Sequence, residues 1–106
     1  MARVLITVPA TARKGQVIEI RTLIQHLMET GYRPDATGVV VPRDILRRFT
    51  CTYNGATVFQ AELHPAIAAN PYLAFPLRAS ESGTLEFTWT GDNGFAQTET
   101  RAITLE

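Results

Sequence analysis

Alternation of apolar and polar side chains at every second residue constrains this chain more than any other feature. From Val17 to His26, Ile18, Ile20, Thr22 and Ile24 share one phase, while Glu19, Arg21 and Gln25 share the other. Successive side chains of a strand point to opposite faces, so this run predicts a half-buried strand, entered from the Lys14-Gly15 turn. Arg47 to Tyr53 repeats the pattern, with Phe49, Cys51 and Tyr53 inward and Arg48, Thr50 and Thr52 outward. Asn54-Gly55 follows at once. This dipeptide accepts the positive φ angles of a type I′ turn, whose twist suits an antiparallel pair. The returning strand is then Thr57 to Leu63, with Phe59, Ala61 and Leu63 inward.

The rhythm continues to the end of the chain. Leu73, Phe75 and Leu77 alternate around Pro76, which removes a ladder donor and so predicts an edge strand or a bulge. Ser80-Glu81-Ser82-Gly83 is a turn, and Leu85, Phe87 and Trp89 then point inward. Gly91-Asp92-Asn93-Gly94 makes the next hairpin before a last strand from Phe95 to Leu105. Arg3 to Pro9 forms the first strand. Fourteen threonines against two serines fit this reading, since the branched side chain suits a pleated surface. About seven short strands and no sustained helix predict an all-β, immunoglobulin-like antiparallel sandwich, a single domain over residues 1–106.

Two stretches escape the alternation. Met28 to Pro42 carries Gly31, Pro34 and Gly38, and His64 to Tyr72 carries two prolines with at most one helical turn, at Ala66 to Ala69. Long loops on a rigid sandwich are often where function sits.

Several function classes are excluded. Ten basic residues balance ten acidic ones, so no broad positive field invites nucleic acid. Apolar runs fall well short of the roughly 20 residues that span a bilayer. Cys51, the one cysteine, shares its strand face with Phe49 and Tyr53, an apolar setting that disfavours the reactive thiolate. His26 and His64 have no metal-ligand spacing around them. Ser80 and Ser82 lack a nucleophile elbow, and Gly91-Asp92-Asn93-Gly94 lacks the acidic ligands of a calcium loop. Arg33, Arg43, Arg47 and Arg48 form a mild basic concentration, either a solvated face or a surface that steers an acidic partner. The residues therefore predict no enzyme, no cofactor and no metal site. No basic segment, apolar stretch and cleavage site open the sequence, and composition alone favours the cytoplasm.

Three blocks carry a resemblance. Phe49-Thr50-Cys51-Thr52-Tyr53-Asn54-Gly55, then Glu62 to Phe75, then Ser82-Gly83-Thr84-Leu85-Glu86-Phe87-Thr88-Trp89-Thr90 closely resemble SoxZ, the Z subunit of the bacterial Sox system that oxidises thiosulfate. The likeness also takes in Gly15 to Ile24 and Met28-Glu29-Thr30-Gly31. The His-Pro-Ala-Ile-x-Ala-Asn-Pro-Tyr block is its most specific part, because generic sandwich physics does not require it. Leu27 departs from the family, which is expected to place proline after this histidine.

The resemblance implies an immunoglobulin-type fold and a heterodimer with the Y subunit of a sulfur carrier complex. In that family the Y subunit holds the sulfur intermediate on a cysteine in a glycine-flanked C-terminal arm and presents it to the other Sox enzymes. This chain ends Ile103-Thr104-Leu105-Glu106, which marks it as the partner and not the carrier of the covalent intermediate. The implied location is the periplasm, reached beside a Y subunit that bears the export signal. The isolated subunit is left free to form a homo-oligomer. The alternative is a stand-alone interaction module, or a subunit of a related carrier in another dehydrogenase pathway. A partner surface is expected at His64, Pro65, Ile67, Asn70, Pro71 and Tyr72, where a proline-stiffened loop offers Ile67 and Tyr72 at low entropic cost. The competing reading makes the loop a cap, with Ile67 plugging the open end of the sandwich.

Overall fold

The computed structural model describes residues 2–106 as two stacked sheets around one apolar core, an immunoglobulin-like β-sandwich. The eight strands are β1 (Val4–Thr7), β2 (Thr11–Ala12), β3 (Val17–Ile24), β4 (Leu46–Tyr53), β5 (Ala56–Glu62), β6 (Tyr72–Arg78), β7 (Gly83–Gly91) and β8 (Ala96–Leu105). One sheet has the order β1-β3-β6 and the other β2-β8-β7-β4-β5. The seven expected strands are all present. The eighth, β2, pairs parallel to β8 through Thr11↔Thr104 and Ala12↔Leu105, so the sandwich is not wholly antiparallel. β6 is an edge strand, as Pro76 requires.

Burial follows the sequence phase. Ile18, Ile20, Thr22 and Ile24 of β3 are buried, as are Phe49, Cys51 and Tyr53 of β4 and Leu85, Phe87 and Trp89 of β7. The register sets Phe49 beside Trp89 and Cys51 beside Phe87. Phe49 reaches across to Phe75 of the opposite sheet, with ring centroids 6.1 Å apart, and Phe59 stacks on Phe75 at 4.3 Å. These rings join the two sheets along the β5–β6 side. Asn54 and Gly55 have φ of 49° and 87°, the left-handed pair that a type I′ turn demands. Buried Tyr53 ties this turn to the next, because its hydroxyl donates to the Glu81 carbonyl and accepts from the Glu81 N–H.

The two ends of the sandwich differ. At one end the connections are tight turns around Gly15, Asn54-Gly55 and Ser82. The other end carries the long connections, residues 25–45 and 63–71. The first of these leaves the body as a two-stranded ribbon. Asp35 N donates to the Val39 carbonyl and Val41 N to the Arg33 carbonyl, both at 2.8 Å, which sets Pro34 opposite Val40. Asp35 Oδ1 accepts from Thr37 N, Thr37 Oγ1 and Val39 N and so shapes the tip. Glu29 and Asp44 exchange backbone hydrogen bonds at the base. The molecule measures 59 × 20 × 20 Å with a radius of gyration of 16.2 Å, against about 13 Å for a compact chain of this size. The projecting ribbon contributes to that elongation.

Candidate functional site

The place of Cys51 at the centre of β4 disfavours nucleophilic chemistry there. Its side chain is fully buried, and burial pushes the thiol up to about 12, so the nucleophilic thiolate is scarce at neutral pH. The histidines serve local structure. His26 follows β3 and its Nδ1 accepts from Met28 N at 3.0 Å, while its ring stands edge-on to Phe95 at 5.5 Å. Its Nε2 lies 3.9 Å from Asp44 Oδ1, beyond hydrogen-bond reach. His64 is exposed, and its carbonyl accepts from Ile67 N to close a turn. Among the described residues, no three His, Cys, Asp or Glu side chains gather in a geometry that could hold a metal. An open cleft of about 480 Å³ lies between His26, Asp44, Asn70 and Phe95, with mainly apolar walls.

The basic concentration is largely neutralised by its neighbours. Arg33 pairs with Glu29 at 2.6 Å, Arg43 with Asp92 at 2.8 Å and Arg48 with Glu62 at 2.8 Å. The Arg33 guanidinium holds the Glu29 carboxyl below the usual carboxylate range. Asp92 is lowered chiefly by the N–H of Ile45, with Arg43 adding to the effect.

The six residues expected at a partner surface divide by role. Asn70 adopts φ 54°, its Oδ1 accepts from His26 N at 3.0 Å, and its own N–H donates to the His26 carbonyl at 2.7 Å. Pro71 is buried, and its carbonyl accepts from Ile24 N. These two clamp the loop to the end of β3. Pro65 is half-buried and His64 exposed. Ile67 is 38 % exposed and Tyr72 56 % exposed, so neither plugs the core.

Tyr72 opens β6 on the outer face of the three-stranded sheet. The register places it beside Leu23, and Leu23 beside Leu5, in one apolar row across all three strands. Leu5 is 64 % exposed. The outer face of the five-stranded sheet is different: Thr50, Thr88 and Thr98 line up across β4, β7 and β8, and Thr88 and Thr98 bond through their hydroxyls at 3.1 Å. Among the described residues, the exposed large hydrophobic ones other than Val17 and Val58 lie toward the end that carries the ribbon. Leu5 and Leu23 were not singled out from the sequence, yet Leu23 stands in the polar phase of β3 beside Glu19 and Arg21, which was the available signal.

The comparisons with known proteins agree with this architecture. The family model described as "Sulphur oxidation protein SoxZ" matches residues 6–102. No curated protein matches the sequence. Among solved structures, the sulfur carrier protein SoxY from Chlorobium limicola f thiosulfatophilum is similar with a TM-score of 0.69 at 10 % identity, covering 97 % of this chain and 78 % of that one. A superoxide reductase (neelaredoxin) from Ignicoccus hospitalis is similar with a TM-score of 0.74 at 15 % identity, covering 99 % of this chain and 82 % of that one. At such identities both likenesses show the fold alone.

Proposed function

Because the chain belongs to the SoxZ family of sulphur oxidation proteins, we propose that it is the non-catalytic subunit of a SoxYZ sulfur carrier complex. In this reading it pairs with a Y subunit whose C-terminal cysteine holds the covalent intermediate during thiosulfate oxidation, and the complex works in the periplasm. One observation carries the division of labour. The only thiol of this chain lies sealed between Phe59 and Phe87 of the neighbouring strands, so a sulfur adduct has to ride on another protein. An adduct on Cys51 would need the core to open. The ribbon-bearing end, where Ile67 and Tyr72 are exposed, is the surface offered to the partner. Apolar side chains left in water at one end of a sandwich gain most by association.

Co-expression with a Y subunit tests this reading. The two chains should purify as a stable pair. After turnover with thiosulfate, intact mass spectrometry should place every sulfur adduct on the Y subunit. Cys51→Ala should restore thiosulfate oxidation to a strain lacking this chain. A sulfur adduct on Cys51, or loss of activity in a folded Cys51→Ala complex, would refute the assignment. Failure to pair with any Y subunit would favour a stand-alone interaction module.

A further inference from the structure

The ribbon between β3 and β4 is the part of the chain that the sandwich does not need. Its two strands pass each other at Pro34 and Val40, held by the hydrogen bonds of Asp35 and Val41. Extended backbone alternates its faces, so Tyr32, Pro34, Val40 and Pro42 share one side of the ribbon. All four are exposed, Tyr32 at 83 % and Val40 at 55 %. We propose that this apolar ribbon face is a permanent docking surface for the sandwich of the Y subunit; the inference rests on the pairing proposed above.

Three observations favour that occupant. An isolated two-stranded ribbon is only marginally stable in water, and it needs a third strand or a packed surface to hold its shape. Residues 32–40 of this ribbon are all exposed, and it is preorganised by the Asp35 turn, the Glu29–Arg33 pair and the bridge between Glu29 and Asp44. Two of its arginines are matched at home, Arg33 by Glu29 and Arg43 by Asp92, and the Asp35 carboxylate is held by the turn. The face of Tyr32, Pro34, Val40 and Pro42 therefore offers a partner apolar side chains. Permanent interfaces are the apolar ones, whereas transient encounters between enzymes and carriers are smaller and more polar. The ribbon also springs from the end of the sandwich that carries Ile67 and the Leu5–Leu23–Tyr72 row. That row spans three strands of about 4.8 Å spacing, too small a patch alone for the ~800 Å² that each partner buries in a standard interface. The ribbon adds further exposed apolar area at the same end.

The double variant Tyr32→Ser/Val40→Ser tests the proposal, with Val58→Ser at the opposite edge as the control. The affinity of each purified chain for the Y subunit is measured by isothermal titration, and the melting temperature of each chain alone by calorimetry. The double variant should bind at least roughly 30-fold more weakly while melting within about 2 °C of the parent, as expected for exposed residues that act only at an interface. Amide exchange at Asp35 and Val41 should slow in the complex. If the parent binds the Y subunit and the double variant binds equally well, the ribbon proposal is overturned and the pairing survives. If the parent does not bind the Y subunit, both fall. Concentration-dependent dimers of the isolated chain that the double variant abolishes, with affinity for the Y subunit unchanged, would assign the ribbon to a second copy and overturn the choice of occupant.

Discussion

The buried thiol makes a quantitative prediction about alkaline stability. Burial holds the Cys51 thiol up at about 12 in the folded chain, against an ordinary value of 9.0 once the chain unfolds. A folded value above the unfolded one means that the stability tied to this group is fully present below pH 9. It is lost as pH rises from there toward 12, because only the unfolded chain can ionise the thiol. At pH 10 the unfolded thiol is mostly thiolate and favours unfolding by about 1 kcal/mol, whereas at pH 8 the effect is negligible. Other groups also titrate in this range, so the clean measurement is a difference. Urea titrations of the parent and of Cys51→Ala, both in reductant at pH 8 and pH 10, remove the shared contributions. The alanine variant loses some packing at both pH values alike. The parent's advantage over the alanine variant should shrink by about 1 kcal/mol on going from pH 8 to pH 10. A gap that stays constant would mean that the thiol ionises as easily folded as unfolded, and the sealed-core account of Cys51 would be wrong.

The packing supplies two further predictions. Trp89 is 1 % exposed and its ring lies 5.1 Å from Phe49, so Trp89→Ala should cost about 3–5 kcal/mol in denaturant titration; a loss below ~1 kcal/mol would place Trp89 outside the core. Gly91 has extended backbone that any residue adopts, but a Cβ there would stand 2.5 Å from the Ile45 carbonyl oxygen, where β4 begins. Gly91→Ala should cost about 1–3 kcal/mol, and an unchanged melting temperature would show that β4 has room to yield.

The strands were legible because each has one face in the core and one in water, which prints a period of two on the sequence. Leu85 to Trp89 shows it without interruption, and Ile18 to Ile24 shows it with Thr22 and Leu23 as exceptions in residue type. Asn54-Gly55 was legible because the turn geometry leaves little choice of residue. β2 was not, since two residues hold no period and its pairing with β8 joins positions distant in sequence. The ribbon escaped for a related reason. Tyr32, Pro34, Val40 and Pro42 become one face only when the chain folds back at Asp35, and proline-rich stretches read as irregular loop. Within His64 to Tyr72 the sequence identified the segment but not the division of labour. Whether Asn70 anchors the loop or faces a partner depends on its hydrogen bond to His26 across the end of β3.

The unequal ends of the sandwich connect these observations. A two-residue turn such as Asn54-Gly55 has its conformation dictated by the hairpin, so it has no freedom to present a large side chain. Residues 25–45 and 63–71 have that freedom, and the exposed apolar residues collect there, with the adjoining row of Leu5, Leu23 and Tyr72. The hydrogen bonds between Asn70 and His26 then fix the second connection to the root of the first. Two loops that would each fluctuate alone are thereby held as one surface, which reduces the ordering entropy a partner would otherwise have to overcome. The clamp adds little apolar contact of its own, because Asn70 offers a polar side chain and Pro71 is already buried. In the pairing proposed above, its contribution would therefore be preorganisation, which lies in the conformation of the free chain as much as in the contacts of a complex.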